Sequence, residues 1–177
     1  MSQLQDRIRA SIRDVKDFPK PGILFKDIMP VLEDPELSAD IVKHFASVFS
    51  SQGINAVVGV ESRGFLFGMA LAIQMQVPFV SVRKKGKLPY QTISYKYDLE
   101  YGSAEVEMHI DSIKAGWKVL IHDDLLATGG TATAAAELVK MQGGNVEAFA
   151  FLVELEFLNG RERLEPYTKN IVNLVAY

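Results

Sequence analysis

Two aspartates stand side by side, Asp123 and Asp124, at the end of a short apolar run in the string Val119 to Thr131, VLIHDDLLATGGT. The run reads as a buried strand that delivers both carboxylates to its carboxyl end. Ala127, Thr128, Gly129, Gly130 and Thr131 follow as a short loop, and an alanine-rich helix is expected from about Ala132. The two glycines let backbone approach an anion closely. Amides at the helix start point outward, and the threonine hydroxyls add donors, so the loop reads as a phosphate cradle. No lysine follows the glycines and no G-x-G-x-x-G occurs, so it is neither a Walker loop nor a dinucleotide fingerprint. Carboxylates beside a phosphate would repel it. They must face another part of the same ligand, and ribose hydroxyls, or a metal bound to them, suit that place.

Other residues could serve the same ligand. Arg83, Lys84, Lys85 and Lys87 place four cations in five residues around Gly86. Taken alone such a run is a solvated loop; opposite a charged leaving group it would take up developing negative charge. Ser62 and Arg63 sit in the turn after an earlier apolar run, and a guanidinium suits phosphate oxygens. Glu100 and Tyr101 occupy the expected turn of a hairpin, either as exposed polar groups or as part of a lid. Val60 to Gly64 is only half of a serine-hydrolase elbow. The missing first glycine and the scattered His44, His109 and His122 argue against a triad.

The elements that must position these groups alternate along the chain. Helical spacing is expected from Met1 to Val15 (Leu4, Ile8, Ile12, Val15) and again through Leu37, Ile41, Phe45 and Phe49 up to Gly53. Asp17 to Asp27, with two prolines and a glycine, is expected to be irregular. Strands are expected at Ile54–Val60, Val77–Arg83, Lys118–Asp123, Val146–Leu155 and Ile171–Val175, with a helix over Gly64–Met75. Apolar strands alternating with helices imply an α/β fold with a parallel sheet covered on both faces. Thr92–Tyr97 and Ala104–Ile110 instead alternate in polarity and predict an antiparallel hairpin standing out from that core, with Glu105, Glu107 and His109 toward solvent. The 177 residues correspond to one domain. Zero cysteines exclude disulfides, thiolate metal sites and cysteine nucleophiles. With 22 acidic against 19 basic residues, net charge −3, no nucleic-acid partner is expected. No targeting segment is evident and the uncharged Gly64–Val82 stretch is broken by polar residues, so no membrane partner and a cytoplasmic setting are expected.

Asp123 to Thr131 (DDLLATGGT) resembles the ribose-phosphate signature of the type I phosphoribosyltransferases. Phe18–Asp27 (FPKPGILFKD), Gly59–Gly68 (GVESRGFLFG), Arg83–Pro89 (RKKGKLP) and Leu99–Gly102 (LEYG) resemble the adenine-specific branch of that family in order and spacing. Two departures are small: His122 stands where the family usually has an aliphatic residue, and Glu61 where some members have aspartate. The resemblance implies a parallel sheet of about five strands, an antiparallel flap over about 84–110, and a small hood from about 1–35 plus the C-terminal segment. It implies transfer of a 5-phosphoribosyl group from 5-phosphoribosyl 1-pyrophosphate (PRPP) to adenine, giving AMP and pyrophosphate, with Mg2+ bound mainly through substrate and a homodimeric assembly. By the same resemblance Glu100 would be the acid/base residue. Asp123, Asp124 and residues 127–131 would hold ribose and 5′-phosphate. Ser62, Arg63, Arg83, Lys84, Lys87 and Tyr101 would hold pyrophosphate, and Leu24, Phe25, Lys26 and Leu155 adenine. An unusual peptide conformation at Glu61–Ser62 is implied too. Another purine as acceptor, a regulator that only senses the donor, and a nucleotide hydrolase are the alternatives; Glu100 and the mixed charge of the N-terminal helix speak against the regulator.

Overall fold

The computed structural model describes residues 3–98 and 103–177. The chain opens with α1 (Gln3–Ser11), β1 (Arg13–Lys16), β2 (Leu24–Asp27), α2 (Met29–Glu33) and α3 (Pro35–Phe49). It continues through β3 (Ala56–Val60), α4 (Gly64–Met75), β4 (Phe79–Lys84), β5 (Thr92–Asp98) and β6 (Ser103–His109). β7 (Lys118–Leu126), α5 (Gly130–Met141), β8 (Asn145–Glu154), α6 (Gly160–Leu164) and β9 (Ile171–Ala176) complete it.

One seven-stranded sheet has the order β5-β6-β4-β3-β7-β8-β9. The five strands from β4 to β9 are parallel. β6 pairs antiparallel with both β4 and β5. The hairpin therefore does not stand clear of the core; it extends the sheet, with Arg83 opposite Glu107 and Lys84 opposite Val106. Every residue of β3 is buried, as a strand covered on both faces requires. β8 divides its side chains by parity: Phe149 and Phe151 join the core beneath α5, whereas Ala148, Ala150 and Leu152 join the core beneath α3 and α4. α3 starts where it does because the Asp34 side chain accepts from the Leu37 amide at 2.9 Å and Pro35 takes the first turn.

The connections place the site. β3 passes through α4 to β4 on one side, and β7 passes through α5 to β8 on the other. The carboxyl ends of β3 and β7 thus face each other at the point where the winding reverses, the usual ligand crevice of open α/β sheets. β7 stays paired with β8 as far as Leu126, but its pairing with β3 stops at His122. From Asp123 onward the β3 side of the strand is open.

Two further expectations are corrected. The first helix ends at Ser11, and residues 13–16 pair with 24–27 as a small antiparallel ribbon. The prolines of the intervening segment lie in the turn and leave the strand amides free to pair. On β6, Val106 and Met108 are buried as expected, but Glu107 is also buried, at 2% exposure, while Ile110 is exposed. The polar face of the hairpin is roofed locally by the loop after β4. Among the described residues no helix is long and apolar enough to cross a membrane.

Candidate active site

The end of β7 carries the centre of the site. Asp124 is buried and its Oδ2 accepts from Arg63 Nε at 2.5 Å. Arg63 closes the turn after β3, immediately before α4, so this one ion pair spans the crevice. The Asp123 Oδ1 accepts from the Asp124 amide at 2.9 Å. Burial, followed by the neighbouring Asp124 charge, pushes the Asp123 carboxyl well above its ordinary range. His122, one residue earlier, is wholly buried, edge-on to Phe45, and burial pushes its imidazole down to about 4. It is a neutral filler of the core, which is why it substitutes for an aliphatic side chain.

Beyond Leu126 the chain enters a small hollow of about 70 Å³ formed by residues that include Ala127 to Thr131. Gly129 adopts φ 78°, and α5 begins at Gly130 with its first amides unpaired inside the helix. The hollow is held from behind by a second backbone contact. A Cβ on Gly129 would stand 2.6 Å from the Gly160 carbonyl oxygen, and one on Gly160 would stand 2.1 Å from that of Ala127. Only two glycines allow α6 to lie this close. The same contact brings Arg163 alongside, with Nη1 3.8 Å from the place of a Gly130 Cβ. Tyr97 of β5 reaches the other flank, its hydroxyl 3.2 Å from Thr131 Oγ1. Neither Arg163 nor Tyr97 was legible as a site residue, because no local motif ties them to the cradle.

A wider cleft of about 390 Å³ adjoins the hollow and is lined by Glu61, Ser62, Arg63, Lys84, Asp123, Asp124 and Thr131, among others. The Glu61–Ser62 peptide is cis, the unusual conformation that the resemblance implied. Of the expected pyrophosphate residues, Ser62, Arg63 and Lys84 meet in this cleft. Arg83 does not line it: its Nε and Nη2 donate to Glu61 at 3.2 and 3.4 Å, and its Nη1 to the Lys87 carbonyl at 3.2 Å. Lys87 is exposed on the far side of that turn. Burial pushes the Glu61 carboxyl up, but the Lys84 amide and the Arg83 guanidinium outweigh it and hold the group below its ordinary value. Glu100 and Tyr101 lie outside the described residues.

The expected nucleobase residues approach from the small ribbon and from β8. Phe25 sits with its ring 5.7 Å from the Arg63 guanidinium carbon and edge-on to Phe18 at 5.1 Å. Leu24 and Lys26 flank it on β2, with the Lys26 ammonium 2.6 Å from Asp14 and over the Tyr177 ring. Leu155 follows β8, half-buried, its amide donating to the Leu126 carbonyl at 2.9 Å. The Arg63 contact thus ties Phe25 to the crevice, and Leu155 adjoins the strand that carries the two aspartates.

Two outcomes follow from this geometry. Asp123 is protonated more readily in the folded than in the unfolded chain, so its stabilising contribution is complete below about pH 4 and is lost as pH rises through its raised folded value. Asp123→Asn removes that titration while keeping an acceptor for the Asp124 amide. Thermal melts should show the variant gaining on the parent as pH rises above about 4; a difference independent of pH would contradict the assigned shift. Gly160→Ala must push α6 off the cradle and should weaken ribose 5-phosphate binding tenfold or more, about 1.4 kcal/mol. An unchanged calorimetric affinity would detach α6 from the site.

A family model for the phosphoribosyl transferase domain matches residues 31–175. The adenine phosphoribosyltransferase of Nitrosococcus oceani is 52% identical over 172 residues, 97% of this chain and 99% of its own length. The structure of the adenine phosphoribosyltransferase from Thermoanaerobacter pseudethanolicus matches with a TM-score of 0.93 at 46% identity, over 98% of this chain and 99% of that one. The adenine phosphoribosyl transferase of Trypanosoma brucei, solved in complex with AMP, pyrophosphate and ribose-5-phosphate, matches with a TM-score of 0.90 at 27% identity, over 99% of this chain and 80% of that one. A crevice with an anion cradle, paired carboxylates and facing cations, on a backbone shared over nearly its whole length, makes the chain a member of the phosphoribosyltransferase family, in its adenine phosphoribosyltransferase branch.

Proposed function

We propose that the crevice transfers the 5-phosphoribosyl group of PRPP to adenine, forming AMP and releasing pyrophosphate. The observation that carries this reading is the meeting, at one sheet edge, of the 127–131 cradle, the Asp123–Asp124 pair and the cations Arg63 and Lys84. Each group answers to one part of the donor. Amides and hydroxyls of residues 127–131 bind the 5′-phosphate. Asp123 and Asp124 accept from the ribose hydroxyls and favour the positive charge that develops on the sugar as the bond to pyrophosphate lengthens. Ser62, Arg63 and Lys84 receive the departing pyrophosphate, with Arg83, Lys87 and Tyr101 assigned to the same anion. Leu24, Phe25, Lys26 and Leu155 form the adenine site, Phe25 giving the purine an aromatic face.

In the transfer, the C1′–oxygen bond to pyrophosphate breaks and a bond from adenine N9 to C1′ forms. Adenine sheds its N9 proton, and Glu100, which lies between β5 and β6 in the sequence, is the residue assigned to accept it. Of the two cations that line the cleft, Arg63 is already paired with Asp124, so a donor leg with up to three negative charges needs further positive charge. Mg2+ fits that need. Among the described residues no three carboxylate or imidazole groups converge as a metal cage, so the ion would sit mainly on substrate oxygens and neutralise the leaving group there.

Two further assignments rest on the same reading. The β1–β2 ribbon with α1 and the C-terminal segment forms the hood over the adenine site, and the segment of about 84–110 the flap. Leu66, Met69 and Ile73 expose an apolar stripe along α4, beside a groove of about 400 Å³ lined by Leu32 and Val42. A second copy of the chain covering that stripe gives the homodimer. A cytoplasmic setting accords with the supply of these substrates.

A nucleobase panel with PRPP and magnesium tests the reaction: adenine should be converted, whereas conversion of hypoxanthine or guanine with adenine inert would overturn the assignment. Glu100→Gln should slow the chemical step in single-turnover assays by about 10² to 10⁴ and leave stability within about 0.5 kcal/mol. A chemical step within threefold of the parent would remove Glu100 from acid/base work.

A further inference from the structure

The turn after β4 carries Lys84, Lys85 and Lys87 within four residues, with Gly86 at φ 83°. Like charges this close repel, and within the turn the Arg83 guanidinium donates to the Lys87 carbonyl and the Lys87 amide to the Lys84 carbonyl, both at 3.2 Å. The turn is also held from beneath by Glu107. The Oε1 of Glu107 accepts from the Lys87 amide at 2.9 Å and the Leu88 amide at 2.8 Å. Its Oε2 accepts from the Thr92 hydroxyl at 3.2 Å, and the Lys85 ammonium lies 4.0 Å away.

The opposite side of the turn is held by a second carboxylate. Glu61 accepts from the Lys84 amide at 2.9 Å and engages the Arg83 guanidinium. Besides the Lys85 amide, which donates to the Glu105 carbonyl at 3.0 Å, the backbone amides of Lys84, Lys87 and Leu88 are met by two carboxylates, one on the crevice wall and one inside the hairpin. Lys84 makes no ion pair with another described residue and lines the cleft beside Arg63.

We propose that Glu107 is a positioning residue for pyrophosphate: by clasping the amides of Lys87 and Leu88 it fixes the cationic turn so that Lys84 meets the leaving group. The proposal rests on the assignment of this turn to pyrophosphate. A carboxylate buried this deeply costs desolvation, and an apolar side chain would pack the hairpin as well. What an apolar side chain cannot do is accept from two consecutive amides. Burial pushes the Glu107 carboxyl up, yet the backbone donors of Leu88, Gly86 and Lys87 outweigh it and hold it below its ordinary value, consistent with a group kept ionised by the turn it holds.

The test compares Glu107→Ala and Glu107→Gln with the parent by calorimetric titration of pyrophosphate and, separately, of AMP. Glu107→Ala should weaken pyrophosphate tenfold or more and leave AMP within twofold, since AMP has no group at the turn. Glu107→Gln keeps an oxygen for both amides and should stay within threefold of the parent for both ligands. Equal losses of the two ligands in the alanine variant, or a glutamine variant as weak as alanine, would overturn the clasp. If Glu107→Ala does not fold, amide exchange on the parent decides. The Lys87 and Leu88 amides must be protected and slow further with pyrophosphate; rapid exchange overturns the proposal. A parent that forms AMP and binds pyrophosphate while Glu107→Ala is unaffected defeats the clasp alone, whereas a parent that binds no pyrophosphate defeats the underlying assignment and the clasp with it.

Discussion

Everything in this site depends on holding two adjacent carboxylates at the dry end of a buried strand. The chain does this by asymmetry. Asp124 is given a full counter-charge in Arg63 at 2.5 Å, whereas Asp123 accepts from the Asp124 amide and is pushed toward its neutral form by burial and by the Asp124 charge. The Arg63–Asp124 pair also joins the loop after β3 to the end of β7 across the place where the sheet has no hydrogen bonds. Its energetic role is local organisation rather than net stability, because burying such a pair consumes most of what its attraction returns.

The remaining polar groups extend that principle outward. Glu61 holds Arg83 and the Lys84 amide, and Glu107 holds the next two amides of the same turn. Carboxylates thus accept from the backbone of the cationic loop, Lys85 reaches Glu105 at 3.7 Å, and Lys84 lines the cleft. The cradle is built without any side-chain charge of its own. It relies on amides, two threonines and the back-to-back approach of Gly129 and Gly160, which carries Arg163 to its flank.

Stability and function are separated spatially. The two apolar cores lie on opposite faces of the sheet, and the groups assigned to chemistry stand at its carboxyl edge. His122 marks the boundary: one residue before the aspartates, it is already a neutral part of the core. The exposed apolar stripe on α4 is a feature of neither, and its helix is correspondingly apolar on every side.

By itself the amino-acid sequence determined the layered α/β plan, since continuous apolar runs admit few arrangements other than parallel strands covered by helices. It also determined the local course of Asp123 to Thr131, which forms a strand end, loop and helix start within thirteen residues of Val119. Local spacing suffices wherever a function is carried by backbone amides of one turn. Tertiary structure decided what depended on partners distant in the chain. The β1 strand exists only because residues 24–27 return to pair with it, overriding the helical spacing of the first fifteen residues. The solvent face of β6 became an interior one at Glu107 because the lysine turn folds over it. Arg83, the first of four cations in sequence, was withdrawn from the cleft by Glu61, and Arg163, with no motif to announce it, was brought to the cradle by a glycine contact. Charge and alternation are properties of single segments; whether a given charge meets water, a ligand or another charge is a property of the segments that pack around it.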